Sequence, residues 1–496
     1  MPNALRRIFS FPAMLMVALF CSPFFASLDV QSGRGLMRDP DIWWHIRNAE
    51  VLLSTHHFIR AEAFSFSTPG QPWINFEWLS EIPYYLGFKA LGDRGLFFVM
   101  LTAVELVIAG VLFLCYRRTR DFKASFLATW IAVLFASISI GLRTLLFGWL
   151  CFLVEMFLIE EFRKGRDRIW LLPSLFALWI NLHATWIVGL AFYVLFIASG
   201  LADGSWGSIE AVRWTPQQLR KLALVGAASV AMLFVNPYGW QLVAYPVRIV
   251  LASGAAGIEP EEWRSVDFQT FHGLLLYVVV ALLLVLTLAR KRTWRLQDLL
   301  FAMLAVFAAL QHRRFLFLAG IVLCPILAED LAGVVFSPYD REQNKPLLNA
   351  AVMAAFIAFA IFHTPTSTQL QSAEGLYFPV DAVPELDRCC KGGRLFNHYE
   401  WGGYLIWHAR QTPVFIDTRG DVFGEHGVFD DYINAVSLKG STAILDRNRI
   451  DSALLPVNTP LAYLLKRTPG WNVQYEDPFA VLFVRSREGT QAQTHP

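Results

Sequence analysis

The chain has 496 residues, of which 55% are hydrophobic, 15% aromatic and 17% charged, with a mean hydropathy of +0.43. Because a soluble fold of that length cannot bury so much apolar surface, the composition excludes an ordinary soluble enzyme and indicates a protein of the lipid bilayer. The net charge of +2 gives no sign of a nucleic-acid partner.

Apolar segments of roughly the 20 residues needed to cross the hydrocarbon core recur along the chain. They lie near 8–29, 95–116, 122–141, 144–162, 168–182, 184–202, 217–235, 271–289, 297–311, 314–333 and 347–363. The sequence therefore predicts an α-helical polytopic membrane protein with about 11 transmembrane helices.

The basic residues between these segments predict the orientation of the chain. With alternating spans, the clusters that fall on one side are the N-terminal pair Arg6 and Arg7 and the connectors 117–123, 163–168 and 289–295. The positive-inside rule makes that side cytoplasmic. The N-terminus is then inside, whereas the loop 30–93 and the C-terminal segment lie outside.

The first external loop, 30–93, is predicted to contain two amphipathic helices. In the run that starts at Asp41, apolar side chains recur at helical spacing from Ile42 to Leu53, and a second such run starts at Asn75. Aromatic side chains are expected to hold both helices at the level of the lipid headgroups. These are Trp43, Trp44, Trp73, Trp78, Tyr84 and Tyr85.

The pattern changes near residue 365, where short strand-like and helix-like runs begin to alternate. The strand-like runs are RLFN, VFIDTR, SALLPV, NVQYED and AVLFVR, and the helix-like runs are EWGGYLIWHA, FDDYINAV and PLAYLLKR. This alternation predicts an extracytoplasmic α/β domain at 365–496, after a transmembrane domain at 1–364 that includes the loop 30–93. The C-terminal domain is also a candidate surface for a protein partner.

The short stretch RDPDIWWH, 38–45, concentrates acidic and aromatic residues at the start of the first amphipathic helix. Asp39 can cap that helix, with Pro40 at its first position and Asp41 in its first turn. A cap accounts for Asp39 more fully than for Asp41. The alternative is that Asp41 is an active-site acid.

Further ionisable residues in the same loop make it a candidate pocket. Glu77 and Glu81 lie on one face of the second helix, and His45 lies one turn after Asp41. His45 can orient the Asp41 carboxylate or bind a phosphate oxygen; the alternative is an interfacial histidine.

Cationic residues at the predicted outer ends of spans form a second candidate set. They are Arg143, His183, His312, Arg313 and Arg314. Positive charge outside the membrane runs against the usual bias, so these residues need an anionic partner. A lipid phosphate suits arginine, which binds phosphate through two parallel hydrogen bonds; salt bridges to Glu77, Glu81 or a headgroup are the alternative.

In the C-terminal segment, IDTRGD contains Asp417, Arg419 and Asp421 at the end of a strand-like run. Ligands gather at such strand ends in open α/β sheets. Alternating charges in a turn are also typical of a local salt-bridge network, and both interpretations stay open at this point.

The chain resembles the GT-C-fold membrane glycosyltransferases in its acidic outer loop, its many spans and its external C-terminal domain. It is more closely similar to a group of bacterial multi-span proteins, mostly of unassigned function. The shared patterns include DPDIWWHIRNAE, FSFSTPGQPWINFEWLSE, LWINLHATWIVGL, NPYGWQLVAYP, HRRFLFLAG and EWGGYLIWHARQTPVFIDTRGDVFG. The resemblance implies a multi-pass protein of the bacterial inner membrane.

For function, the resemblance implies transfer of a sugar from a polyprenyl-phosphate carrier to an acceptor on the outer face of the membrane. In that family an acid of the first external loop serves as the base or holds a divalent metal ion. Asp41 matches by position, with Asp39 as runner-up, and Glu77 is a further candidate for a catalytic acid of this loop. The implied partners are the lipid-linked sugar donor and membrane lipids. The alternative function is a non-catalytic membrane subunit or scaffold of an envelope assembly complex.

Overall fold

A computed structural model of the protein describes residues 3–26, 35–252, 261–333, 339–340, 342 and 344–486. By its internal contacts the chain divides into two compact units. The first, which we call the helical unit, comprises Met1–Ser32 and Phe97–Pro365. The second, the mixed unit, comprises Gly33–Leu96 and Thr366–Pro496.

Each apolar segment predicted to span the membrane contains a helix. The long helices that contribute to the helical unit are Phe11–Phe20, Asp93–Thr119 (from Phe97 on), Phe122–Ala136, Leu145–Arg163, Leu172–Leu182, Trp186–Ala198, Pro216–Met232, Trp240–Ala252, Phe271–Arg290, Leu296–Gln311, Leu316–Leu331 and Pro346–Phe362. Shorter helical segments are Asn3–Ile8, Pro23–Ala26, Ile169–Leu171, Glu261–Trp263 and Arg313–Phe315. The end of the first predicted span and the start of the first loop, 27–34, lie outside the described residues.

Helix length does not settle the number of spans. Within the described ranges, Asp93–Thr119 and Phe271–Arg290 are by themselves long and apolar enough to cross a bilayer. A third span results if Pro346–Phe362 and Ser367–Glu374 form one broken span, and several other apolar helices have 10–17 residues. The predicted number of about 11 therefore stays a prediction.

The core of the helical unit is the helix Leu316–Leu331, whose side chains are buried almost all round. A helix that is apolar on every face is expected in such a central position. It packs against Phe122–Ala136 and Leu296–Gln311. A small sheet of Gly204–Trp206, Ile209–Ala211 and Trp294–Arg295 connects the loops of this unit.

The mixed unit contains a four-stranded sheet in the order Leu395–Asn397, Ser452–Pro456, Ala480–Arg485, Trp471–Glu476. The first two strands are parallel and the other pairs are antiparallel, with Leu454 opposite Leu482. Four of the predicted strand-like runs thus form strands. The fifth, VFIDTR, forms only single bridges from Val414 to Leu395 and Ser65.

The rest of the mixed unit is mainly helical and includes both predicted helices of the first loop. They are Asp41–Thr55, Trp78–Leu91, Ser367–Glu374, Val380–Ala382, Val383–Cys389, Tyr399–Trp401, Gly402–His408, Gly420–Phe423, Gly424–His426, Val428–Val436, Ser441–Arg447 and Pro460–Leu465. The loop segment 33–96 therefore groups with the C-terminal segment, whereas the sequence-based division assigned it to the transmembrane domain.

Most of the aromatic side chains predicted to sit at lipid headgroups are instead buried in protein. Trp43 is fully buried, and its ring lies 5.2 Å from that of Tyr404 and 6.1 Å from that of Phe378. Those two partners come from the C-terminal part of the mixed unit. The headgroup prediction is wrong for the four side chains that are buried, Trp43, Trp44, Trp73 and Tyr84. They form a hydrophobic core.

Candidate active site

Asp41 is the first residue of the helix Asp41–Thr55. Its backbone N–H donates to the Asp39 carboxylate at 3.1 Å, so Asp39 satisfies one of the free N–H groups of the helix start. The helix begins one residue later than predicted, which is within the usual variation of helix ends. The Asp39 side chain thus stabilises the start of the helix. The side chain of Asp41 makes other contacts.

The Asp41 carboxylate is half-buried and bound through one oxygen. Its Oδ1 accepts hydrogen bonds from the Trp44 indole at 3.1 Å and from the Thr418 hydroxyl. The same indole N–H lies 3.3 Å from Thr418 Oγ1. Among the described residues, no donor binds Oδ2. This oxygen is available to a ligand.

Burial, and secondarily the charge of Asp39, raises the pKa of Asp41 to about 7. The positive charge of His45 and the hydrogen bonds from Thr418 and Trp44 act in the opposite direction but do not cancel the effect of burial. A carboxylate with a pKa near neutrality is suited to accept a proton in a reaction.

His45 is buried between the two glutamates of the second helix. Its Nδ1 lies 2.8 Å from Glu81 Oε1, and its Nε2 lies 3.5 Å from Glu77 Oε2. Burial acts to lower the pKa of His45, but the hydrogen bond to Glu81 and the charges of Glu77, Glu81 and Asp41 outweigh it and raise the pKa. His45 therefore influences Asp41 by its charge, and its hydrogen bonds go to the glutamates.

Glu81 is buried as well and is satisfied by several donors. Besides His45, Asn75 donates to its Oε2 at 2.8 Å and Asn48 to its Oε1 at 3.4 Å. Burial raises the pKa of Glu81, against the hydrogen bond and charge of His45. This arrangement is typical of a structural ion pair that joins two helices, since its polar atoms are turned to each other.

Thr418 is a residue of this cluster that sequence reasoning missed. It lies within IDTRGD, where the alternating charges drew attention to Asp417 and Arg419 instead. Those two residues form the predicted local salt bridge: the Arg419 guanidinium donates to Asp417 at 2.8 and 2.6 Å and also contacts Glu62 at 2.8 Å. The hydroxyl between them had no sequence signal.

Two glycines of EWGGY allow this segment to approach the helix that starts at Asp41. A Cβ on Gly403 would lie 2.4 Å from the Pro40 carbonyl oxygen, and one on Gly402 would lie 2.3 Å from the Ile416 carbonyl oxygen. Any larger residue would force the backbones apart. The glycine pair thus explains how a residue near position 418 reaches Asp41.

The cationic candidates lie in the helical unit, where Glu262 is the carboxylate that two of them contact. Arg143 forms a salt bridge with Glu262, and Arg314 lies 3.9 Å from its other oxygen. Burial acts to raise the pKa of Glu262, but Arg143, Arg314 and His183 outweigh it and lower the pKa. Glu262 is therefore an anionic partner of Arg143 and Arg314, two of the five cationic candidates.

Arg314 and His312 also contact the neighbouring Trp263, whereas Arg313 and His183 form hydrogen bonds with other residues. The guanidinium of Arg314 lies 4.4 Å from the centre of its indole ring, and His312 Nδ1 lies 2.5 Å from its carbonyl oxygen. Arg313 donates its backbone N–H to the carbonyl of Arg264 at 3.0 Å. His183 is buried, and its Nδ1 accepts the backbone N–H of Thr185 at 3.1 Å.

Within the described residues, the donors present do not fit a divalent metal ion. Nowhere in the described part of the chain do three or more His, Cys, Asp or Glu side chains form a group that could hold one. At Asp41, one carboxylate oxygen is already bound by Trp44 and Thr418.

Comparison with solved structures identifies the fold. The oligosaccharyltransferase of Archaeoglobus fulgidus, solved in the apo form, aligns with a TM-score of 0.54 at 11% identity, over 89% of this chain and 69% of that one. ArnT from Cupriavidus metallidurans in the apo state aligns with a TM-score of 0.54 at 14% identity, over 94% and 97%. The same ArnT bound to undecaprenyl phosphate gives 0.49 at 13% identity, over 96% and 98%.

No family model matches the chain, and no curated protein is detectably similar to it in sequence. The first two structures are both GT-C-fold membrane glycosyltransferases. At 11–14% identity they establish architecture, whereas chemistry has to be argued from the site. The chain is therefore a polytopic helical membrane protein with the GT-C fold.

Proposed function

We propose that the protein is a glycosyltransferase that moves a sugar from a polyprenyl-phosphate carrier to an acceptor hydroxyl on the outer face of the bacterial inner membrane. The observation that carries this proposal is the Asp41 carboxylate, with one oxygen fixed by two donors, the other available, and a pKa of about 7. The GT-C fold supports the class of reaction.

On the acceptor side, Asp41 acts as the general base. The acceptor hydroxyl oxygen attacks the anomeric carbon, its proton passes to Asp41 Oδ2, and the bond between the anomeric carbon and the phosphate oxygen breaks. The electron pair of that bond stays on the polyprenyl phosphate. A single displacement of this kind inverts the configuration at the anomeric carbon. Asp39 and Glu77 are less suited to be the base, because Asp39 holds the helix start and Glu77 lies next to His45.

For the phosphate of the donor, the arginines of the helical unit are the proposed binding residues. Arg143 and Arg314 already contact the two oxygens of one carboxylate, Glu262. An arrangement that holds a carboxylate between guanidinium groups also suits a phosphate oxygen pair. Arg313, His312 and His183 belong to the same unit and are the further candidates for contacts with the donor. Removing one preorganised donor of this kind costs about 3–4 kcal/mol of transition-state stabilisation.

The topology required by this function agrees with the charge distribution of the sequence. The N-terminus lies in the cytoplasm, and the segment 365–496 lies outside, where the acceptor is. That segment offers a surface for a protein partner. A non-catalytic envelope subunit would share the fold and the topology, but would need no carboxylate with a pKa near 7.

The test uses the purified full-length chain in liposomes with a panel of undecaprenyl-phosphate-linked sugars. We measure release of undecaprenyl phosphate by the wild type, by Asp41→Asn and by the control Asp430→Asn, which changes an exposed acid of the same unit. We expect release by the wild type and the control but not by Asp41→Asn. Undiminished release by Asp41→Asn would remove Asp41 from the mechanism, and absence of release from the whole panel would favour the scaffold.

A further inference from the structure

The segment Val414–Arg419 is held in place by buried polar contacts before it reaches Asp41. Asn397, at the end of the first strand of the sheet, is fully buried. Its Oδ1 accepts the backbone N–H of Phe415 at 2.8 Å, and its Nδ2 donates to the Ile416 carbonyl at 2.7 Å. The amide thus fixes the backbone of Phe415 and Ile416, just before Thr418.

On the other side of Thr418, Arg419 fixes the chain with a buried ion cluster. Its guanidinium contacts Asp417 and Glu62, and all three side chains are almost fully buried. Glu62 also accepts the backbone N–H groups of Phe64 and Ser65, each at 2.6 Å. Charge-assisted bonds of this kind are short and strong. Thr418 therefore stands between two anchored neighbours and has little freedom to move.

From this fixed position the Thr418 hydroxyl donates to Oδ1 of Asp41, and the Trp44 indole lies within hydrogen-bond distance of both groups. A carboxylate on a short side chain can rotate about its last bond. Two donors on the same oxygen oppose this rotation, because turning the carboxylate would break both bonds. The orientation of Oδ2 is fixed as a result.

We propose that Thr418 is a positioning residue for the transfer reaction: its hydroxyl fixes the Asp41 carboxylate so that Oδ2 takes the acceptor proton. This inference rests on the proposed function of Asp41. The C-terminal segment then contributes a residue to the active site. Thr418 has a role in the reaction, whereas its neighbours Asp417 and Arg419 form a structural salt bridge.

The charged and titratable groups that act on Asp41 come from each element around it. They are Asp39 before the helix and His45 within it. Tyr399, whose pKa is raised by burial and by the charge of Asp41, donates its hydroxyl to the Thr418 carbonyl at 3.4 Å. None of these groups changes when Thr418 is replaced by valine, which has nearly the same shape but no donor. Loss of the donor then removes one of the influences that lower the pKa of Asp41.

The experiment compares Thr418→Val with Thr418→Ser and with the control Thr412→Val. Thr412 is buried, and its hydroxyl has no hydrogen-bond partner in the described part of the chain. We expect Thr418→Val to lose about 10- to 150-fold in kcat, the loss that a hydrogen bond to a charged group explains. We also expect an unchanged KM for the lipid donor and an acid limb of the pH profile that moves to higher pH. Thr418→Ser and Thr412→Val should behave like the wild type.

A second readout does not depend on turnover. Infrared difference spectra follow protonation of Asp41, with the band identified by its loss in Asp41→Asn, and Thr418→Val should titrate at higher pH than the wild type. Equal kcat and equal titration in Thr418→Val would overturn the positioning role. If Asp41→Asn abolishes transfer while Thr418→Val does not reduce it, only the positioning role is wrong. If Thr418→Val shifts the titration of Asp41 but the wild type transfers no sugar, the proposed function is wrong. The contact between Thr418 and Asp41 is then still supported.

Discussion

Replacing Asp41 by asparagine should remove activity and stabilise the fold at the same time. A positioned general base contributes about 100- to 10,000-fold to a rate, so transfer should fall by that range. The amide keeps the shape of the carboxylate and an oxygen for Trp44 and Thr418. It removes the charge and the capacity to take a proton, and it replaces the second acceptor oxygen by an amide NH2 donor.

The gain in stability follows from the pKa of Asp41. A carboxyl group whose pKa is higher in the folded than in the unfolded protein weakens the fold as the pH rises between the two values. The full cost is present above the folded pKa. A rise from 3.8 to about 7 corresponds to ~4 kcal/mol, since one pH unit is worth about 1.4 kcal/mol. Because Asp41 is only half-buried, we expect about half, ~2 kcal/mol, after solvent screening.

The assay is thermal unfolding of the wild type and Asp41→Asn in the same detergent, from pH 4 to pH 8. We expect equal midpoints near pH 4 and a midpoint several degrees higher for the variant above pH 7. An equal difference at all pH values would refute the argument, because a packing change does not titrate. A variant that is less stable at pH 8 would show that the ionised carboxylate stabilises the site rather than strains it.

The remaining predictions concern the neighbouring ion pairs. Glu262→Gln should bind undecaprenyl phosphate about 2- to 5-fold more tightly in calorimetry, because a competing carboxylate is removed, whereas Arg143→Ala should weaken binding. Arg419→Lys should destabilise the protein by on the order of 3 kcal/mol in thermal unfolding, because an ammonium group cannot replace the bidentate contact. His45→Gln should cost a similar amount by leaving Glu81 buried without a cation, and adding Glu81→Gln should restore part of it. Since the pKa of His45 is raised, the single-variant loss should shrink as the pH rises through that value.

Local sequence patterns predicted the helices and strands well, because both depend on spacing between neighbours. The apolar run before Arg117 forms the helix Asp93–Thr119, and AVLFVR forms the strand Ala480–Arg485. The same patterns did not show whether an apolar or aromatic face contacts lipid or another part of the protein. Trp43 has the spacing and chemistry of a headgroup anchor, but it packs on Tyr404 and His408, more than 300 residues later in the chain.

The candidate site shows the same limit more sharply. Asp41 has a complete local interpretation as a first-turn acid that suits the helix dipole, and nothing within a few residues distinguishes it from an ordinary helix start. Its chemistry comes from burial and from Thr418, which is 377 residues away in sequence. The glycine pair in EWGGY permits this contact, because a side chain at either position would collide with a neighbouring backbone carbonyl, but the pair does not indicate which residue comes close. The tertiary structure determines which residue comes close to Asp41. The sequence therefore identified Asp41 as a candidate, but only the structure showed the contact that orients its carboxylate.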